Sequence, residues 1–314
     1  MSFQLRDFIE TTEGLVFAVV DGAVEDGKVL CFLRYGPYGK LNTAAANALL
    51  RASYPCYLHH SARMDAVIHA VPVERIHRHH QPRERLLEIL AHPTQDAIEG
   101  KLLRLLKLLM DGGLALDSFG VTGSLLLGCQ TLDSDIDMVI YGRDNFFRAL
   151  ARVRELVKAG LLDELDAVAW RDTYERRGCE LSFEEYLWHE GRKGNKGVIE
   201  GTKFDLALNV ETSEDEPQSA WFKTGPALIS GRVLDDARTF DYPARYPIDH
   251  PEIAEVLSFS HTYVGQAKTG ETIEVAGNVE TSGKGRKRIV VGSSREALGE
   301  FIRVLQRFQH QRVT

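Results

Sequence analysis

The chain has 314 residues, enough for two or three domains with cores of their own. Its 44% apolar and 26% charged content is that of an ordinary globular protein, and its net charge of −7 excludes a surface that binds nucleic acid everywhere, leaving only local basic patches for that purpose. The four cysteines, Cys31, Cys56, Cys129 and Cys179, are scattered without a CxxC pair, which excludes a zinc ribbon and argues against a disulfide framework.

No run approaches the roughly 18 to 20 apolar residues of a membrane span. The opening MSFQLRDFIETTEG is acidic and leads into a strand-like run, so a signal peptide is not expected and a cytoplasmic location is.

In chain order, Gly14 to Val20 and Lys28 to Arg34 read as strands, joined by a turn-rich DGAVEDG. Thr43 to Ala52 suits a helix and Ala66 to Val71 a further strand. Pro82 begins a helix over RERLLEILA, and Gln95 to Met110 predicts a longer amphipathic helix with leucines 102, 105, 106 and 109 on one stripe. Strands are expected at Phe119 to Thr122, Asp135 to Tyr141 and Lys203 to Val210. A helical turn is expected at Ser124 to Gly128, and helices at Asn145 to Lys158 and Phe183 to His189. FDYPARYPIDHP reads as a linker, Ile253 to Val291 as short strands with glycine turns, and Arg295 to Arg307 as a closing helix.

This pattern predicts an α/β (α+β) chain in three parts: a small α+β module over 1–80, a central mixed sheet with helices over 81–240, and a mainly-β domain over 250–314. The last part holds nine Lys and Arg against six Glu from 255 onward, with Lys284, Arg286, Lys287 and Arg288 beside a glycine turn. A small barrel such as an OB-fold that binds single strands fits this pattern; a basic hairpin tip on a structural domain fits it equally.

The decisive stretch is VTGSLLLGCQTLDSDIDMVIYG, residues 121 to 142. Gly123-Ser124 ends a short strand and opens a turn whose backbone N–H groups can face an anion, as nucleotide phosphates require. In Asp135-Ile136-Asp137, strand geometry sets both carboxylates on one face about 7 Å apart, while Ile136, Met138 and Ile140 face the core. Like charges so placed repel unless cations lie between them, and hard oxygen ligands suit a pair of magnesium ions. TKFDLALNV supplies a third carboxylate, since Phe204, Leu206 and Leu208 face one way and Asp205 the other.

With its GVTGS…SDIDMVIYG core, this segment resembles the DNA polymerase β-like nucleotidyltransferase superfamily, and most closely the predicted nucleotidyltransferases common in archaea. The resemblance implies a mixed sheet with helices, two divalent ions (Mg²⁺ or Mn²⁺) and a nucleoside triphosphate such as ATP. It implies that Gly123 and Ser124 hold the β- and γ-phosphates, that Asp135 and Asp137 bind both metals, and that Asp205 binds the metal activating the incoming hydroxyl. Cys129 and Leu132 depart from a loop that often carries polar or basic residues, which moves attention to other phosphate clamps.

Candidates for those clamps are Arg176, Arg177, Arg192, Lys193 and Lys196, with Arg192 and Lys196 foremost; the six acidic residues among the six basic ones of 174–203 fit a solvated surface as well. Seven of the eleven histidines fall between His59 and His92, where neighbouring Arg and Pro suggest an exposed linker rather than a zinc site. Trp188 and Trp221 are expected to pack rather than to stack on bases. The resemblance leaves the acceptor open. RNA is slightly favoured over DNA, a protein or a small molecule, and a non-catalytic nucleic-acid-binding role is the remaining alternative.

Overall fold

The computed structural model describes residues 2–62, 64–92, 96–210, 221–294 and 297–305. The chain is an α+β protein built on three sheets. It divides into two compact units, one of residues 1–59, 68–165 and 194–213, the other of residues 60–67, 166–193 and 214–314.

The first sheet is formed by β1 (Phe8–Thr11), β2 (Val16–Glu25), β3 (Lys28–Gly36), β4 (Gly39–Lys40), β5 (Leu58–Ser61), β6 (Ala66–Pro72) and β7 (Ile76–His80), in the order β5-β6-β3-β2-β1-β7 with β4 beside β3. The helix α1 (Thr43–Ser53), capped by the Asn42 side chain, contributes Ala46 and Leu50 to a core with Ile9, Leu15, Phe17 and Leu33. The connection DGAVEDG is mostly strand: β2 runs on to Glu25, and Asp26-Gly27 alone make the turn. The histidine-rich stretch is no linker either. His79 and His80 lie in β7, paired with β1, where His79 Nε2 meets Asp7 Oδ2 at 2.8 Å.

Helices α2 (Pro82–Ala91) and α3 (Ala97–Met110) follow; the expected start of the latter at Gln95 lies outside the described residues, and Asp96 caps it. Gly120 lets α2 close on the sheet, because a Cβ there would stand 2.8 Å from Pro82 Cβ. The second sheet comprises β8 (Phe119–Val121), β9 (Ile136–Tyr141), β10 (Lys196–Ile199) and β11 (Thr202–Asn209), ordered β10-β11-β9-β8. Only β9–β11 is parallel, so the sheet is mixed. Between β8 and β9 lies α4 (Gly123–Leu127). After β9, α5 (Arg143–Lys158) buries Phe146, Ala149, Leu150, Val153 and Leu156 at helical spacing and contacts β9, β11 and α3.

The second unit holds α6 (Ala167–Arg177), α7 (Phe183–Lys193) and a sheet of β12 (Trp221–Val233), β13 (Ala244–Asp249), β14 (Ile253–Ser258), β15 (Thr272–Ser282), β16 (Lys287–Val291) and β17 (Phe301–Val304). The order β12-β13-β14-β16-β15 closes on itself through a β12–β15 ladder, and β17 adds to β15. Five strands therefore form a ring with one parallel pair, β14–β16, and two of the five, β12 and β13, precede the 250–314 segment for which a small barrel is expected. Its core joins Val233, Tyr246, Val256, Val275 and Ile289 to Leu181 and Tyr186, with Trp170 and Trp188 packed against it.

Three expectations change here. Half of the FDYPARYPIDHP linker is β13, with Ala244, Tyr246 and Ile248 buried. The third sheet begins at Trp221 rather than 250, and α6 and α7 belong with it, so the 81–240 division does not match a compact unit. The closing helix is replaced by strand β17. Gly299 (φ 76) and Ala297 (φ 47) interrupt any helix before it, while the helix ends at Arg295 and Arg307 lie outside the described residues.

Candidate active site

β9 and β11 run parallel with Asp205 directly opposite Asp137, so both carboxylates leave the same face of adjacent strands. Asp135 precedes β9 by one residue and is two positions from Asp137 on the same side. Their mutual repulsion is legible in Asp137, whose carboxyl is raised to about 6 by burial and by the charges of Asp205 and Asp135, against the opposing pull of Arg6 and Lys40. All of these residues belong to the first unit.

The Gly123-Ser124 turn stands over this pair. Thr122 N–H donates to Asp137 O at 2.9 Å, extending the β8–β9 ladder and setting α4 directly above Asp137. Gly123 has φ +65, and a Cβ there would lie 2.4 Å from Asp137 Oδ2. Glycine is required at this position twice over, by the backbone and by the approach of the carboxylate. Ser124 is half-buried within α4.

Cations surround the aspartates. Lys196 on β10 is the register partner of Asp205, with Nζ 3.7 Å from Oδ2, and Asn195 Nδ2 donates to Asp205 Oδ1 at 2.9 Å. Lys203 Nζ lies 3.4 Å from Asp135 Oδ1. Tyr35 is pushed up to about 12, chiefly by burial and also by its neighbours Cys129 and Asp137.

Gly123, Ser124, Asp135, Asp137, Asp205 and Lys196 are brought together within the first unit; Arg176, Arg177, Arg192 and Lys193 belong to the second. Arg192 lies in the second unit, where Nη2 donates to Glu271 Oε1 and Oε2 at 2.7 and 2.6 Å and the guanidinium covers the Trp188 ring at 4.4 Å. Lys193 is buried, paired with Glu190 and donating to Thr262 O at 2.7 Å. Arg176 pairs with Asp172 at 2.9 Å. The reason is topological: residues 174–203 are no single loop, but pass from α6 and α7 of one unit into β10 of the other at Gly194.

Sequence reasoning missed Arg6, Lys40, Asn195 and Lys203. Lys203 carried a usable signal, because it precedes Asp205 by two, as Asp135 precedes Asp137, and the parallel register sets it level with Asp135.

The donor set fits hard divalent cations: carboxylate oxygens only, crowded enough to raise Asp137, beneath a glycine cradle that a Cβ would fill. It is an open set. Among the described residues, the three His, Cys or carboxylate ligand atoms that all lie within 4.8 Å of one another are elsewhere, at Glu25, Asp26 and His59.

No family model and no solved structure matches the chain. It is 36% identical over 338 aligned positions to the uncharacterized protein MJ1086 of Methanocaldococcus jannaschii, an alignment that covers 97% of this chain and 99% of that protein.

Proposed function

The chain belongs to the family of the uncharacterized protein MJ1086, and we propose that it is a magnesium-dependent nucleotidyltransferase that moves a nucleoside monophosphate from a nucleoside triphosphate to a hydroxyl, releasing pyrophosphate. The single observation that carries this reading is the register of Asp205 against Asp137 beneath Gly123. Two divalent ions (Mg²⁺ or Mn²⁺) held by Asp135, Asp137 and Asp205 would supply charge stabilisation for the entering and leaving oxygens of an in-line attack at the α-phosphorus. The chain's own part is positional. Gly123 and Ser124 receive the β- and γ-phosphates at the mouth of α4, and Asp205, fixed by Asn195, orients the acceptor hydroxyl and favours loss of its proton. Lys196 and Lys203 offset carboxylate charge in the free protein and stand ready to turn toward triphosphate oxygens.

RNA is the acceptor we favour, on the strength of the five-stranded ring with its basic β15–β16 turn. The described residues hold no helix long and apolar enough to cross a membrane, and a cytoplasmic location accords with such an acceptor. The test incubates the protein with each labelled nucleoside triphosphate, Mg²⁺ or Mn²⁺, and RNA, DNA or cell lysate, beside the Asp205→Asn variant. Label in RNA that disappears with the variant is the expected result. Label in protein or small molecules reassigns the acceptor, and no label with any fraction leaves a non-catalytic nucleic-acid-binding role.

A further inference from the structure

We propose a second metal site, distinct from the aspartate triad, at Glu25, Asp26 and His59, selective for a borderline divalent ion of the zinc class. Their ligand atoms, one from each residue, all lie within 4.8 Å of one another. The β2–β3 hairpin positions two of the three. The pairs Val24↔Val29 and Glu25↔Lys28 leave a two-residue loop, Asp26-Gly27, with φ of 50 and 74, a type I′ turn that presents both carboxylates at its tip. His59, on β5, is brought to them from 33 residues further along the chain.

The independent sign of a ligand is the imidazole. The His59 side chain is only 10% exposed, and its Nε2 is closed to solvent with no hydrogen-bond partner. A buried polar atom left in that state calls for an explanation, and a bound ion is one of the few available. Nε2 faces Glu25 Oε1, itself on a side chain 10% exposed, at 3.9 Å. That is too long for a hydrogen bond. It is close to the edge of a tetrahedron around an ion with bonds of about 2.1 Å, roughly 3.4 Å. A small inward movement of either side chain would seat the ion, and exposed Asp26 leaves the remaining position to water.

One imidazole with two carboxylates selects differently from the triad. Nitrogen ligation favours zinc or cobalt over magnesium, whereas the all-oxygen triad suits magnesium. Bound there, the ion would tie the β2–β3 turn to β5 and hold the edge of the first sheet.

The test uses full-length protein stripped with a chelator, then equilibrated with micromolar zinc in millimolar magnesium, which occupies the triad. Wild type and Asp137→Asn are expected to retain one zinc per chain by elemental analysis, and zinc to raise their melting temperature. His59→Ala and Glu25→Gln are expected to lose that equivalent, with circular dichroism confirming the fold. Should His59→Ala fail to fold, Glu25→Gln and the wild-type stoichiometry decide. No zinc on wild type, or equal zinc on Glu25→Gln, overturns the site.

Discussion

Asp137 and Asp205 occupy equivalent positions on two parallel neighbouring strands, so the sheet holds their negative charges together whether or not a cation is present. Backbone hydrogen bonding fixes the repulsion, and the carboxyl of Asp137 rises to about 6 through burial and through that repulsion.

Asp137→Asn should therefore abolish transfer while making the metal-free protein more stable at neutral pH. A folded pKa of about 6 above a normal value of 3.8 means that the folded state holds the proton more tightly. Ionisation then costs stability as pH rises from about 4 to 6, and the full penalty persists above that. At about 1.4 kcal/mol per unit, the gain on substitution is on the order of 1–3 kcal/mol. Urea denaturation in chelator across pH 4 to 7 should show a falling contribution in wild type that the variant lacks; a variant less stable than wild type at pH 7 contradicts it.

Gly123→Ala should cost more than an ordinary left-handed glycine. Gly128→Ala is the control: it has the same φ of 65, but its nearest side-chain atom, Arg85 Nη2, is 3.7 Å away. The control should lose about 1–2 kcal/mol for the backbone alone. Gly123→Ala should lose that and more, because Asp137 must move, and transfer should fail. Equal melting temperatures for the two variants would mean that the carboxylate yields freely.

The second unit should have the opposite pH response. His189 is fully buried, its Nδ1–H donating to Glu185 O at 2.7 Å and its Nε2 accepting Val304 N–H at 3.1 Å, and its pKa is lowered to about 4, mainly by burial. A depressed histidine contributes stability that is complete above pH 6.5 and lost as pH falls through 4. The loss should be on the order of 2–3 kcal/mol. His189→Gln should flatten this acid limb while lowering the neutral plateau, as followed by tryptophan fluorescence during denaturation.

If RNA is the acceptor, only part of the basic β15–β16 turn is available to it. Arg288 pairs with Glu280 at 2.8 Å and covers the Trp221 ring at 3.9 Å, whereas Lys284 and Arg286 are exposed. Replacing Lys284 and Arg286 with Ser should reduce the salt slope of RNA binding by about 1.4, two contacts at roughly 0.7 each. Arg288→Ser should instead destabilise the barrel. An unchanged slope for the double variant would place the RNA surface elsewhere.

Much of the site could be read along the chain because its two strands each carry their own alternation: Ile136, Met138 and Ile140 buried opposite Asp137, and Phe204, Leu206 and Leu208 buried opposite Asp205. Patterns that depend on a partner could not be read that way. IHRHH becomes a strand because β1 pairs with it, and Glu10 of β1 and Asp7 just before it receive its histidines. In YPARYPID the prolines look like breakers, yet Pro247 gives up one donor and keeps its carbonyl bond from Leu234 N–H. FIRV, inside the expected closing helix, is rich in strand formers and pairs with β15. Arg6, Lys40 and Asn195 reach the aspartates only through folding, and no local spacing announces them.

The excursion of the chain out of its first unit at Leu165, and its return at Gly194, fixes an order of synthesis. When β9 leaves the ribosome, its future neighbour β11 does not yet exist, and α6 and α7 must be made first. Until then β9 is an edge strand with Ile136, Met138 and Ile140 on one face and unpaired backbone along one side, a template for mispairing. Translation stopped anywhere before residue 202 would leave that edge open permanently, so shortened versions of this protein should aggregate rather than fold into a smaller working domain.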